Sequence, residues 1–144
     1  MEKFNNVLDF ARKTIETELY SLGKLTNYLD DNFSQAVEAI LQSKGRVVIT
    51  GIGKSAIIAQ KIVATMNSTG TPAIFMHAAD AIHGDLGMIQ PSDVVVCISK
   101  SGNTPEIKVL VPLLKRDQNP LIAITANKES FLATQSDYVL YAYT

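Results

Sequence analysis

Six consecutive residues, Ser99 to Thr104 (S-K-S-G-N-T), hold three hydroxyl groups, one amide and one glycine. Hydroxyl groups can donate hydrogen bonds to phosphate oxygens, and a glycine lets backbone N–H groups approach an anion closely. Pro105 follows, and proline favours the first position of a helix, whose positive dipole end also attracts anions. A solvated turn can share this composition, but a position directly after an apolar run favours a site. The pattern predicts a phosphate-binding loop made of Ser99, Ser101, Gly102, Asn103 and Thr104.

A second glycine-rich turn, Gly51 to Ala56 (G-I-G-K-S-A), matches the G-x-G-x-x-A form of the dinucleotide fingerprint. That fingerprint also needs an acidic residue about twenty positions later, but the next strand ends at His77. The turn is not a Walker A loop, because Val48 stands where that motif has its first glycine. Three interpretations remain open: an anion-binding loop around Gly51 and Gly53, a tight turn without a ligand, and a nicotinamide or flavin site.

Two further side chains could move protons. Glu106 lies in the first turn of the helix that begins at Pro105, where it is either a general base or a partner of the helix dipole. His83 lies in a loop, H-G-D-L-G, where a histidine is either a proton shuttle or a surface residue. His77, Asp80 and His83 are spaced for a metal, but no further ligand is apparent, and we predict no metal site.

Alternating strands and helices must position these groups. The predicted strands are Arg46–Thr50, Ala73–His77, Asp93–Ser99, Leu121–Thr125 and Tyr138–Tyr141, and the helices between them are Ser55–Asn67, Pro105–Arg116 and Ser130–Thr134. The first of these helices has an apolar side made of Ile57, Ile58, Ile62, Val63 and Met66. The alternation predicts a three-layer, doubly wound α/β fold with a five-stranded parallel sheet. In the flavodoxin-like order 2-1-3-4-5, the two glycine-rich turns follow the strands that flank the ligand-binding switch point.

The sequence predicts two helices within residues 1–44, ahead of the sheet. In the first helix, apolar residues such as Val7, Ile15 and Leu22 recur at helical spacing. Asp30 to Asn32 offers a cap for the second helix, Phe33 to Gln42, which we expect Gly45 to end. The apolar stripe is longer than a small sheet needs, so it either packs against a second subunit or folds over its own sheet.

Bulk properties exclude several classes of protein. The chain of 144 residues has room for one domain, and its formal net charge of −1 without a basic stripe predicts no nucleic-acid partner. Cys97 is the one cysteine, which excludes an internal disulfide, fits a reducing compartment and is expected in the core. No apolar run approaches the ~20 residues that span a bilayer, and the start lacks the apolar segment of a signal peptide. We therefore expect a cytoplasmic protein without membrane contact.

Three motifs together resemble the SIS (sugar isomerase) domain and, more narrowly, its arabinose-5-phosphate isomerase branch: Gly51-x-Gly53-Lys54-Ser55, His83-Gly84-Asp85-Leu86-Gly87 and Ser99-x-Ser101-Gly102-x-Thr104-x-Glu106. The likeness runs from about Leu41 to Tyr143. It implies interconversion of D-ribulose 5-phosphate and D-arabinose 5-phosphate through an enediolate, without a cofactor, for capsule or lipopolysaccharide sugar synthesis.

The resemblance also implies roles for individual residues. Carried over by position, the phosphate ligands are Ser55, Ser99, Ser101 and Thr104, with Asn103 beside them. Lys54 is placed near the sugar or the enediolate oxygens, and Glu106 and His83 are implied in acid/base work. Aldose–ketose isomerisation needs such groups, because a base must move a proton between adjacent carbons and a donor must stabilise the enediolate.

The resemblance further sets the expected domain organisation. We expect residues 1–144 to form a single SIS domain, with residues 1–44 as an oligomer contact and residues 45–144 as the sheet core. Relatives in this family add helices that carry another glutamate and histidine, and usually a pair of CBS domains, which we expect to be absent here. The chain is then either a fragment of a longer isomerase or a stripped form. We expect a homodimer or homotetramer that binds a small-molecule sugar phosphate; the alternative is a non-catalytic SIS module that binds a sugar phosphate or nucleotide sugar as a regulator.

Overall fold

The computed structural model describes residues 2–142, with side chains from residue 6 onward. The helices are α1 (Glu2–Leu25), α2 (Asp31–Gln42), α3 (Lys54–Ser68), α4 (Ala78–Ala81), α5 (Pro105–Arg116) and α6 (Phe131–Gln135), with 3₁₀ turns at Thr26–Tyr28 and Asp85–Met88. The strands are β1 (Val47–Gly51), β2 (Ala73–His77), β3 (Val94–Ile98), β4 (Leu121–Thr125) and β5 (Tyr138–Tyr141). Met1, Tyr143 and Thr144, at the ends of the predicted domain, lie outside the described residues.

The five strands form one parallel sheet in the order β2-β1-β3-β4-β5, which confirms the predicted fold. Gly51 at the end of β1 pairs with His77 of β2 on one side and with Ile98 of β3 on the other. The carboxyl ends of these three strands are therefore level. The loops that follow them meet at one edge of the sheet, as ligand sites in doubly wound folds require.

Two apolar layers enclose the sheet, one on each face. Residues of α4, α5 and α6 pack on one face around Val95 and Cys97, and residues of α2 and α3 pack on the other around Ile49 and Val96. The central strands are consequently buried on both faces, as their continuous apolar sequences predicted. Cys97 has no exposed surface, and this burial raises the pKa of its thiol to about 12.

Helix α3 corrects one prediction. Ile57 and Ile58 were expected on its buried side, but their exposed fractions are 66% and 55%. Ala56 and Ala59 are buried instead, in line with the partly buried Val63. Ile62, Val63 and Met66 pack against the same apolar layer, so their predicted place on the buried side is confirmed.

The N-terminal helices differ from each other. At α2, the side chain of Asp30 accepts a hydrogen bond from the N–H of Asn32 (3.0 Å), which confirms the predicted cap. The helix ends at Gln42 with Ser43 as its cap, so the prediction that Gly45 ends it is wrong. A Cβ on Gly45 would lie 2.5 Å from the carbonyl of Ser92, and glycine serves close backbone contact there.

Helix α1 stands apart from the sheet. Every described side chain from residue 6 to residue 20 is exposed, and the helix packs mainly on the 3₁₀ turn that follows it. By contrast, α2 packs against β5. The structure therefore does not support the interpretation in which α1 folds over its own sheet.

At the amino ends of the strands, the buried carboxylate of Asp93 joins the segments that lead into β1 and β3 through hydrogen bonds. Asp93 accepts hydrogen bonds from the backbone N–H of Arg46 (2.7 Å), the Nη2 of Arg46 (2.8 Å) and the N–H of Gln90 (2.9 Å). Asn119 donates to the carbonyls of Asp93 and Gln90, both at 2.8 Å. Burial alone would raise the pKa of Asp93, but these hydrogen bonds outweigh it and hold the pKa below its usual value.

Candidate functional site

A cleft of about 480 Å³ opens at the carboxyl ends of β1, β3 and β4. Its walls are Ile52, Ser55, Ser99, Lys100, Ser101, Thr104 and Ala126. The fold thus brings the two glycine-rich turns together, as their position after β1 and β3 predicted. Four of the proposed phosphate ligands, Ser55, Ser99, Ser101 and Thr104, line this one space.

The first turn leaves a helix N-terminus open. Gly53 precedes α3 with a φ of 58°, a conformation that strains other residues, and no side chain caps the helix there. Gly51 is tightly packed, since a Cβ would lie 3.1 Å from the carbonyl of Ser55. Ser55, the second residue of α3, lies on the cleft wall. The positive end of a 15-residue helix, with its first unpaired N–H groups, is therefore at the cleft.

The second turn is held in shape by α6. Gly102 has a φ of 64°, and a Cβ there would lie 2.2 Å from the Oγ of Ser130. The carbonyl of Gly102 accepts from the N–H of Leu132 (3.0 Å), and its N–H donates to the Oγ of Ser99 (3.1 Å). Gly102 is buried within the turn and does not line the cleft. Its two backbone hydrogen bonds hold the conformation of the turn.

Asn103 also supports the turn from behind. Its Oδ1 accepts from the N–H of Phe131 (2.9 Å), and its Nδ2 donates to the carbonyl of Ser101 (3.2 Å). The Oγ of Ser101 accepts from the N–H of Asn103 (3.3 Å), which leaves the hydroxyl proton of Ser101 available to a ligand. Asn103 does not line the cleft, so the structure assigns it a supporting position beside the predicted ligands.

Thr104 carries an unsatisfied hydroxyl. It is the N-cap residue of α5 in an extended conformation, yet its side chain makes no capping hydrogen bond. Its Oγ1 is buried and has no partner within the described part of the chain. Because a buried hydroxyl without a partner costs about 1–3 kcal/mol, a ligand oxygen in the cleft would find a donor there at no loss to the fold.

The three residues proposed for catalysis do not line the cleft. Lys54 and His83 are exposed and Glu106 is half-buried, and none of these side chains forms a hydrogen bond or ion pair with another described residue. Glu106 stands two residues after Thr104, in the first turn of α5. His83 follows α4, a helix that the sequence did not predict. Their roles remain predictions.

His77 is explained by local structure. Its Nδ1 accepts from the N–H of Ala79 (3.3 Å) and lies 3.9 Å from a carboxylate oxygen of Asp80. It therefore caps α4. Between residues 2 and 142, no three His, Cys, Asp or Glu side chains converge in a way that would hold a metal ion.

A second hollow adjoins the cleft at Ala126, which lines both. The rings of Tyr28 and Tyr141 meet edge to face at 4.7 Å, and the Nζ of Lys128 lies 5.1 Å from the centre of the Tyr141 ring. Sequence reasoning missed this wall. The signal was topological, because Ala126 to Lys128 follow β4 at the same carboxyl edge as the two turns.

Residues 40–144 match the model of the SIS domain family. The arabinose 5-phosphate isomerase KdsD of Francisella tularensis is 48% identical over 139 residues, a match that covers 94% of this chain and 41% of that protein. The KdsD of Escherichia coli K12 is 46% identical over 127 residues, covering 88% of this chain and 39% of that protein. The chain thus spans about 40% of the length of the curated relatives that it matches.

A solved structure is also similar. The protein c3406 of E. coli CFT073, in complex with arabinose 5-phosphate, superimposes with a TM-score of 0.91 at 36% identity, covering 97% of this chain and 74% of that one. Among residues 2–142, no helix combines the length and apolarity needed to cross a membrane. The family match over most of the chain confirms the resemblance carried by the two turns and the His83 loop. The chain belongs to the SIS domain family, within the branch of the arabinose 5-phosphate isomerases.

Proposed function

We propose that the cleft binds the phosphate of a pentose 5-phosphate, and that the protein interconverts D-ribulose 5-phosphate and D-arabinose 5-phosphate. The observation that carries this proposal is the buried, unpartnered hydroxyl of Thr104 beside the uncapped N-terminus of α3. Hydroxyl donors and helix N–H groups converge there, which is the donor set that a phosphate dianion requires. Family membership supports the choice of a sugar phosphate over a dinucleotide.

The proposed phosphate ligands are Ser55, Ser101 and Thr104, with Ser99 at the base of the turn. With the phosphate fixed there, the sugar carbons extend to the rim, where Lys54 and Glu106 flank the two turns. Glu106 then moves the proton between the adjacent carbons, and Lys54 stabilises the enediolate oxygens. His83 supplies the acid/base group that opens the sugar ring.

We further propose that residues 1–144 act as one SIS unit that assembles into a homodimer or homotetramer. The support is the apolar stripe of α1, which its own chain leaves exposed. An exposed apolar surface of this extent is typical of protein interfaces. The product, an aldose phosphate, fits a role in supplying sugars for capsule or lipopolysaccharide synthesis.

One observation favours the alternative of a regulatory module. The three proposed catalytic residues, Lys54, His83 and Glu106, line no part of the cleft, so the phosphate site can bind a ligand without chemistry. In that case the protein binds a sugar phosphate or nucleotide sugar and passes the signal to a partner. The two functions predict different effects of a single substitution at Glu106.

The test measures binding and turnover separately on the same variants. Calorimetric titration with D-arabinose 5-phosphate and a coupled assay on D-ribulose 5-phosphate are run on wild type, Thr104→Val and Glu106→Gln. Isomerase function predicts that Thr104→Val weakens binding and that Glu106→Gln abolishes turnover while binding persists. Binding without turnover in wild type supports the regulatory module. The absence of binding in wild type would overturn both.

Thr50→Val is the matched control. Thr50 carries the other buried hydroxyl without a partner in the described chain, and it does not line the cleft. The two substitutions make the same chemical change at buried hydroxyls. A loss of affinity in Thr104→Val that Thr50→Val does not share is therefore a property of the cleft.

A further inference from the structure

The His83 loop, residues 83–87, is attached to the short helix that precedes it. The N–H of His83 donates to the carbonyl of Asp80 (2.9 Å), and the N–H of Gly84 donates to the carbonyl of Ala81 (3.3 Å). Both acceptors belong to α4. The side chain of His83 is exposed and makes no hydrogen bond or ion pair with another described residue. The position of its imidazole therefore depends on where α4 lies.

Helix α4 is capped by a histidine. The helix is four residues long, so its own backbone hydrogen bonds hold it weakly. Ala78 and Ala81 are buried against the sheet, and the Nδ1 of His77 accepts from the N–H of Ala79 (3.3 Å). Asparagine, serine and threonine are common N-cap residues, and their oxygen acceptors do not titrate near neutral pH. Histidine instead offers a nitrogen that stops accepting once it is protonated.

The protonation state of His77 determines what its Nδ1 can do. In the neutral ring that accepts from Ala79, Nδ1 is bare and Nε2 carries the proton. A proton on Nδ1 removes the acceptor and makes the same nitrogen a donor. Among the described side chains, the carboxylate close to this nitrogen is that of Asp80, whose Oδ2 lies 3.9 Å away. Protonation therefore exchanges the cap of α4 for an ion pair with a side chain of the same helix.

Few charged groups lie on the elements that pack around His77. On β1, the residue that pairs with it is Gly51. Helix α3 also packs on β2, and its titratable side chains are Lys54 and Lys61, neither of which forms a described contact with the ring. Helix α4 contributes Asp80 alone. This carboxylate is thus the charged partner of the ring in the described part of the chain.

We propose that His77 is a positioning residue for His83: in its neutral form it caps α4 and holds the His83 loop at the carboxyl edge of the sheet, and its protonation releases that loop. Gly51, where the first glycine-rich turn begins, pairs with His77, so the cap and this turn share one edge. The inference rests on the proposed function, in which His83 opens the sugar ring. It adds that this step is lost in acid while the phosphate ligands stay in place.

The first experiment follows the cap without any substrate. The chain has two histidines, so His83→Asn leaves His77 as the one imidazole. Nitrogen-15 NMR spectra of this variant are recorded from about pH 8 to about pH 5, the interval in which an unperturbed histidine gains its proton. We expect a bare Nδ1 at the start, and the backbone N–H signals of Ala79 and Gly84 should then shift together with the ring signals. In the control, the double variant His77→Asn/His83→Asn, both N–H signals should stay in place.

Two results of this titration would overturn the inference. A neutral ring of His77 with its proton on Nδ1 would contradict the cap. If the N–H signal of Ala79 follows the ring but that of Gly84 does not, the cap acts on α4 alone and does not hold the loop.

The second experiment measures turnover of D-ribulose 5-phosphate by wild type, His77→Ala and His77→Asn. In weak alkali, we expect His77→Ala to lower kcat by about tenfold with KM unchanged, because the phosphate ligands are intact while an acid/base group is displaced. His77→Asn should restore kcat, because the oxygen of asparagine also caps a helix. As the pH falls, kcat of wild type should decline more steeply than kcat of His77→Asn, whose cap does not titrate.

Asp30→Ala is the matched control. It removes the cap of α2, a hydrogen bond of 3.0 Å from the N–H of Asn32, on the other face of the sheet. It should lower the melting temperature and leave kcat unchanged. Equal losses of kcat in Asp30→Ala and His77→Ala would assign the effect to general instability, which overturns the inference.

The remaining outcomes separate this inference from the proposed function. A His77→Asn variant that is as slow as His77→Ala would exclude capping as the role of His77. If wild type shows no turnover at any pH, the isomerase proposal fails and the role in ring opening fails with it. The NMR titration still decides in that case whether His77 holds the loop.

Discussion

The two edges of the same sheet treat their polar groups in opposite ways. At the amino edge, the carboxylate of Asp93 accepts from both the backbone and the side chain of Arg46 and from Gln90, and Asn119 spans two carbonyls. At the carboxyl edge, the hydroxyl of Thr104 has no partner in the described chain and the N-terminus of α3 has no side-chain cap. The amino edge thus stabilises the fold, and the carboxyl edge keeps its donors for a ligand. Substitutions at the amino edge should therefore lower stability, whereas removal of a hydroxyl at the carboxyl edge should lower ligand affinity.

Removal of the buried carboxylate should have the largest effect. Asp93→Ala leaves two backbone N–H groups without their acceptor, and the guanidinium of Arg46 keeps the carbonyl of Met88 but loses its carboxylate partner. We expect a loss of about 3 kcal/mol in the free energy of unfolding. Urea denaturation measures it. Asp117→Ala, which breaks a surface pair with Arg116, is the control and should be nearly silent. Equal losses of stability in the two variants would contradict the conclusion that the hydrogen bonds of Asp93 at the amino edge stabilise the fold.

The next largest effect concerns the glycine beneath the second turn. In Gly102→Ala, the added Cβ meets Ser130 at a backbone φ of 64°, and we expect a loss of about 2 kcal/mol in the free energy of unfolding. Gly53→Ala is the matched control, because its φ is 58° but no atom lies within 4 Å of the added Cβ. Its loss reports backbone strain alone, of about 1–3 kcal/mol, because a φ of 58° with a ψ of −128° lies outside the left-handed region that other residues enter. An unchanged free energy of unfolding in Gly102→Ala would contradict the tight packing of Gly102 against Ser130.

The two buried hydroxyls without a hydrogen-bond partner in the described chain, those of Thr104 and Thr50, provide the next test. We expect Thr104→Val to lower the affinity for D-arabinose 5-phosphate by about tenfold, while stability stays equal or rises, because an unsatisfied hydroxyl is removed. Thr50→Val should leave affinity unchanged and also keep or raise the melting temperature. If Thr104→Val destabilises the protein instead, its hydroxyl has a partner in the free protein and is not reserved for a ligand.

The smallest expected effect is the pH dependence of stability that Asp93 causes at the amino edge. The pKa of Asp93 is lower in the folded protein than in the unfolded chain, so its contribution to stability is complete above the unfolded pKa and is lost as the pH falls towards the folded value. Wild type should therefore lose more stability in acid than Asp93→Asn does. Urea titrations at a series of acidic pH values compare the two slopes, and parallel slopes would exclude Asp93 as the cause.

Most of the sheet could be predicted because each strand is a short apolar run between polar turns. Leu121–Thr125, Tyr138–Tyr141 and Pro105–Arg116 begin and end at the predicted residues. Helix α4 and the 3₁₀ turn at Asp85–Met88 were missed, since elements of four residues have no periodicity to detect.

The candidate site could be predicted as far as the order of the strands determines which loops meet. The convergence of Ser55 with Ser99, Ser101 and Thr104 follows from parallel strands that end at one edge, and these residues do line one cleft. The supporting position of Asn103 depends on its contact with Phe131, which is 28 residues distant in sequence. Likewise, the exposure of Ile57 depends on how closely α3 approaches the sheet. Such distances between elements are tertiary properties that a local pattern does not contain.

The burial of Cys97 has a practical consequence for experiments on this protein. It is the one thiol in the chain, it has no exposed surface, and its pKa is raised to about 12. At neutral pH it should react with maleimides only when the protein unfolds. Wild type is therefore already a background for site-specific labelling, so a fluorophore or spin label can report on either edge of the sheet without removal of the native cysteine.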